Sequence, residues 1–93
     1  MKEVRIKLDS IDSAKKFVLA SSQCDSDVNV RKEMYQYYVD GKSILGMMSL
    51  VGNDNLIVTY NSENSEFGKV LKKLAAEIFI QGHYVHKHFA YAA

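Results

Sequence analysis

Apolar and polar residues alternate strictly from Glu3 to Leu8, with Val4, Ile6 and Leu8 on one face. A period of two over this length predicts a strand buried on one side. Asp9-Ser10-Ile11-Asp12-Ser13 is a polar turn with several side chains able to cap a helix, and a helix is predicted over 14–22. Ile11, Ala14, Phe17, Val18 and Ser21 fall at its helical spacing. After the loop Asp25-Ser26-Asp27, Val28 and Val30 resume the period of two. A second apolar-aromatic run covers 34–39, so the two predict a hairpin turning near Lys32-Glu33. That hairpin carries Tyr35, Tyr37 and Tyr38, at least one of which must face outward. Asp40-Gly41 ends it and a short helix opens at Ser43. Gly52-Asn53-Asp54-Asn55 reads as a turn, and Leu56-Ile57-Val58-Thr59-Tyr60 is a β-branched run suited to a central strand. Capping residues fill 61–65. Phe67, Val70, Leu71, Leu74, Ala75, Ile78 and Phe79 then form the best amphipathic stripe in the chain, with Gly82 as its stop.

The order is therefore strand, helix, strand, strand, short helix, strand, helix. Strands with one apolar face need a layer of helices, and the economical arrangement is an α+β domain with an antiparallel sheet covered on one face. Its 93 residues suffice for one small domain with a single core. The 47% hydrophobic content excludes a disordered chain, and no apolar run is long enough to cross a bilayer. No apolar leader follows Met1-Lys2-Glu3-Val4, so a cytoplasmic location is expected. One cysteine, Cys24, cannot form an internal disulfide and reads as a small buried hydrophobe. The formal net charge is +1 with basic residues spread along the chain, which gives no reason to invoke nucleic acid.

The short helix carries too many large side chains for its length. Ser43 is placed to cap it, and Ile44, Leu45, Met47, Met48 and Leu50 surround most of it. A short helix buries one stripe. Met47 and Leu50 fit that stripe, while Ile44, Leu45 and Met48 lie toward another face and form an expected docking surface. Gly46 would let a partner or a neighbouring backbone approach closely.

The run Val39-Asp40-Gly41-Lys42-Ser43-Ile44-Leu45-Gly46-Met47-Met48-Ser49-Leu50 resembles the signature around the regulatory serine of HPr, the histidine-containing phosphocarrier of the bacterial sugar phosphotransferase system. Asp25-Ser26-Asp27-Val28-Asn29-Val30 is similar to the family's entry into its second strand, and the likeness spans roughly residues 4–80. The resemblance implies an open-faced β-sandwich, a four-stranded antiparallel sheet with three helices on one face. It implies a domain over 1–82, with 83–93 as a C-terminal extension.

In the family a histidine opens the first helix and receives phosphate from phosphoenolpyruvate through enzyme I, and a nearby arginine helps hold it. Helix N-terminal N–H groups and a guanidinium both favour a dianion. Aligned back from Asp25-Ser26-Asp27, Ser10 stands at the histidine's place and Asp12 at the arginine's. Serine is a poor nucleophile without a base, and Asp9 and Asp12 repel an incoming phosphoryl group. The resemblance thus implies a divergent member, similar to the family's Crh branch, which lacks the histidine and keeps the serine. Ser43 is the candidate regulatory phosphorylation site, and Ile44, Leu45 and Met48 match the family's partner-docking positions. No catalytic residue, cofactor or metal is expected. The implied partners are proteins: HPr kinase, the catabolite control protein or other phosphotransferase-system proteins. The alternatives are a genuine phosphocarrier with a displaced acceptor, or a binding and assembly module without phosphorylation.

The tail from Gly82 to Ala93 holds His83, His86 and His88, the chain's three histidines. No cysteine or acidic cluster adjoins them, so a zinc site is a weak reading. A strand-like tail that pairs with a sheet edge, or with another copy in a homo-oligomer, is preferred.

Overall fold

The computed structural model describes residues 1–75 in full, and residues 77–80 and 83–86 as backbone strands. Strand β1 (Lys2–Leu8) is followed by helix α1 (Ile11–Ser21), β2 (Val28–Lys32), β3 (Val39–Asp40), α2 (Ile44–Met48), β4 (Asn53–Tyr60) and α3 (Ser65–Leu74). Two further strands, β5 (Glu77–Ile80) and β6 (His83–His86), pair with each other.

The first four strands form one sheet in the order β1-β4-β2-β3, every pair antiparallel. This is the expected four-stranded, three-helix arrangement, and β4 is central as its β-branched composition suggests. Val4, Ile6 and Leu8 of β1, Leu56, Val58 and Tyr60 of β4, and Val28 and Val30 of β2 are all buried. Ala14 and Phe17 from α1, Met47 from α2, and Phe67 and Leu71 from α3 complete the same cluster. Phe67 meets Phe17 edge-on at 5.3 Å between ring centres and Tyr60 at 5.1 Å, the geometry that aromatic quadrupoles favour.

Tyr60 titrates within this packing. Burial pushes its phenol above the ordinary value, and the neighbouring Lys2 opposes that only in part. The folded chain therefore keeps this proton to higher pH than the unfolded chain does. The stability linked to it is complete below pH of about 10 and is lost as pH rises through the folded value. A series of urea unfolding curves across that range should show the wild type weakening, and Tyr60→Phe should flatten this part of the dependence.

Four local expectations are corrected. Residues 53–55 belong to β4 rather than to a turn, since Leu8 and Asn53 are register partners across a bulge in which β4 carries the extra residue. The strand expected over 34–39 shrinks to Val39–Asp40, and the hairpin does not turn at Lys32-Glu33. Tyr35 N donates to Lys32 O at 3.0 Å, and Arg31 Nη1 donates to Glu33 O at 2.8 Å, so this segment closes on itself as a loop. Ile11 is half exposed and not part of the core. Finally, α3 stops at Leu74, where Ala75 turns extended (φ −57°, ψ 131°) and bridges Ile6 of β1. Ile78 and Phe79 accordingly lie in β5, not on the helix, in keeping with the strand preference of an Ile-Phe-Ile run. The stop expected at Gly82, like the role expected of His88, lies outside the described residues.

Candidate functional site

Helix α2 projects from a tightly tied entry. Asp40 Oδ1 accepts from Lys42 N at 2.9 Å and Asp40 O accepts from Ser43 N at 3.0 Å, a side-chain-closed turn of the kind Asp favours. Gly41 N donates to Val28 O at 2.7 Å. A Cβ at Gly41 would fall 2.9 Å from that same oxygen, which leaves room only for glycine. On the other side, Gly41 O accepts from Ser21 Oγ at 2.6 Å, and Lys42 Nζ donates to Cys24 O at 2.8 Å. The entry is thus fixed at once to β2, to the end of α1 and to the turn after it.

Ser21 is fully buried, so that hydrogen bond has no water to replace it. Ser21→Ala leaves the Gly41 carbonyl without this donor and should cost about 1–3 kcal/mol. Denaturant unfolding measures the loss, and faster amide exchange through 42–46 would locate it at the α2 entry.

Ser43 is the N-cap of α2: its Oγ accepts from Gly46 N at 3.2 Å, with its own backbone extended. Gly46 sits close under β3, where a Cβ would lie 2.5 Å from Val39 Cγ1. The close neighbour here is therefore a side chain of this chain. Met47 and Leu50 are buried, at 0% and 5% exposure, whereas Leu45 is 79% exposed, with Ile44 at 38% and Met48 at 37%. Ile44 closes an apolar notch whose other wall is Lys15, Val18, Leu19 and Ser22 of α1. Leu19, itself 72% exposed, extends the surface onto α1. Sequence reasoning missed it, although a leucine off the Ala14–Phe17 stripe was the available signal.

At the opposite end of α1, Ser10 is the N-cap and accepts from Ser13 N at 3.1 Å. Its hydroxyl donates to Ser13 Oγ at 3.0 Å, which in turn donates to Asp9 Oδ1 at 3.3 Å. Asp12 pairs with Lys16 at 3.3 Å across one helical turn. These contacts make a capping network flanked by two carboxylates. The first histidine in the sequence is His83. Cys24 is buried. Among the described residues no group of His, Cys, Asp or Glu is placed to hold a metal ion, and no helix is long and apolar enough to cross a membrane.

The two turns thus differ in kind. One presents a capped serine beside an exposed apolar helix, and the other is an acidic cap. The antiparallel sheet with helices on one face defines an α+β domain of the open-faced sandwich type. The chain belongs to the HPr family: the family model described as the PTS HPr component phosphorylation site matches residues 11–81. No curated protein and no solved structure matches the chain. Proteins of this family are phosphocarriers of the phosphotransferase system, not catalysts in themselves, and they work through contacts with other proteins of that system.

Proposed function

We propose that this chain is a regulatory member of the HPr family, one that docks protein partners through α2 and is switched by phosphorylation of Ser43 instead of carrying phosphate on histidine. The observation that carries this reading is the pairing of Ser43 with Ile44, Leu45 and Met48. A hydroxyl available for modification opens a helix whose large apolar side chains are left outside the core. A phosphate there adds close to two negative charges beside the first-turn N–H groups, where charge of that sign is tolerated. It changes what a partner meets without requiring the core to move. HPr kinase and the catabolite control protein are the partners that fit.

The Ser10 turn supports the other half of the reading. Among the described residues, the hydrogen-bond network of the Ser10 hydroxyl runs through Ser13 to the Asp9 carboxylate, and Asp9 and Asp12 oppose an approaching phosphoryl group. Intact-mass analysis tests both halves. One incubation supplies ATP and HPr kinase, the other phosphoenolpyruvate and enzyme I. The wild type should gain a single acid-stable phosphoryl group in the first and none in the second. Ser43→Asn is the better control, because asparagine still caps the helix, whereas alanine there costs about 1 kcal/mol. The Asn variant should gain nothing in either incubation. An acid-labile gain from phosphoenolpyruvate would instead establish a carrier with a displaced acceptor.

A second reading rests on Met34, Tyr35, Tyr37 and Tyr38, all of them exposed. Aromatic residues at this density are typical of protein interfaces, and they favour an assembly module that forms homo-oligomers. Sedimentation over a range of concentrations separates the two: the regulator stays at one mass, and the assembly module does not.

A further inference from the structure

Gly68 sits in the middle of α3, and nothing in the packing calls for it. A Cβ built there meets nothing beyond its own stretch of helix within 4 Å, so a larger side chain would fit. Glycine inside a helix also makes that helix less stable than alanine would. What the missing side chain leaves open is a cleft of about 420 Å³, bordered by α3 and by the register partners Lys2 of β1 and Tyr60 of β4. Tyr60 lines this cleft with only 7% exposure, its ring fixed edge-on against Phe67. Its phenol makes no hydrogen bond with the described residues. A hydroxyl so nearly buried ordinarily has a partner, and the cleft is the space that can supply one.

The charges around the cleft say what that partner is. Ser65, Gly68, Lys69 and Lys72 fall at spacings of three and four and share one face of α3. Lys2 reaches the same cleft from β1, its Nζ 5.7 Å from the centre of the Tyr60 ring and donating to Ser62 O at 3.1 Å. Lys2 also pairs with Glu63 at 3.4 Å, and Lys69 with Glu66 at 3.3 Å, but both carboxylates are well exposed and screened by water. Lys72 has no ion pair among the described residues. Asn64 Oδ1 accepts from Phe67 N at 3.0 Å, which leaves the first-turn N–H groups of Ser65 and Glu66 without an intrahelical partner. Ammonium groups, a helix N-terminus and an unpaired hydroxyl share one preference, a multiply charged oxyanion. We propose that this cleft binds a small phosphomonoester, its phosphate held by the lysines, the first turn of α3 and the Tyr60 phenol, and its organic body resting beside Gly68. A small ligand is required because Tyr60 is nearly covered: only a molecule that enters the cleft reaches its hydroxyl, and a volume of this order suits a compact one. The inference does not depend on the role of Ser43.

Phenyl phosphate is the probe, titrated into the isotope-enriched full-length chain at constant ionic strength and followed by amide shifts. The shifts should saturate and centre on residues 62–69, and phenol alone should give none. Lys72→Gln removes a charge that no ion pair uses and should raise the dissociation constant about tenfold, the scale of one charge-assisted hydrogen bond. Gly68→Leu should abolish the saturable shifts by filling the cleft. Its melting midpoint should not fall below that of the wild type, since the new side chain enters open space and leucine is the better helix former. If the leucine variant does melt lower, the affinity of Lys72→Gln decides alone. Shifts that rise without saturating, shifts centred elsewhere in the chain, an equal response to phenol, or unchanged affinity in the variants would each overturn the proposal.

Discussion

Leu45→Asp should weaken binding of the Ser43-phosphorylated chain to the catabolite control protein by about 30-fold or more, the range of an interface hot spot. The thermal midpoint should stay close to that of the wild type. Leu45 makes this separation possible because it is 79% exposed: it has little core packing to lose, while a carboxylate in its place sets an unpaired charge in the middle of the contact. Met47→Asp would not be equivalent, since Met47 is fully buried and its loss would unfold the helix it anchors. Isothermal titration of wild type and Leu45→Asp, beside melting curves of both, checks the prediction. Unchanged affinity with unchanged stability would remove α2 as the docking element. Leu19→Asp should show a smaller loss of the same kind, because Leu19 stands on the α1 wall of the notch that Ile44 closes.

Phe67→Ala should cost about 3–5 kcal/mol, the upper range for removing a ring from a packed core. The ring is fully buried and is the shared partner of two edge-on contacts, with Phe17 from α1 and Tyr60 from β4. Losing it opens a cavity where both helices and the central strand converge. For a chain of this size such a loss is a large share of the total stability, about 5–15 kcal/mol for a typical domain. Urea unfolding is the direct measurement: the midpoint should fall steeply while the slope stays near that of the wild type. A change below about 1 kcal/mol would contradict the assigned position of Phe67 in the core.

Much of this architecture is legible in the chain itself. The alternation of β1 names its buried residues, and spacing alone divides α2 into an inner pair, Met47 and Leu50, and an outer group that includes Leu45. The resemblance around Ser43 also leads to the right family. The apolar runs were less secure guides. Residues 34–39 look like a strand by composition, but strand propensity only becomes structure when a partner offers hydrogen bonds, and of residues 34–40 only Val39 and Asp40 pair with β2. The Arg31 guanidinium holds the intervening loop by its carbonyls, a role no local period encodes. Ile78 and Phe79 continue the helical stripe on paper, but Ala75 leaves the helix to meet Ile6, so the periodicity past Leu74 has no helix beneath it.

The sequence by itself determined the order of elements from β1 to α3, most of the core, and, through the resemblance around Ser43, the family. The elements and the core follow from period, residue type and spacing, which act between near neighbours. Only the tertiary structure decided that Ser21, Gly41, Cys24 and Lys42 lock the entry of α2. It alone joined Leu19 to Ile44 in one surface and Lys2, Tyr60 and Gly68 in one cleft. Those features join residues distant in the chain through close packing and single hydrogen bonds. Their geometry is set by how the layers meet, and local sequence preference has no access to it.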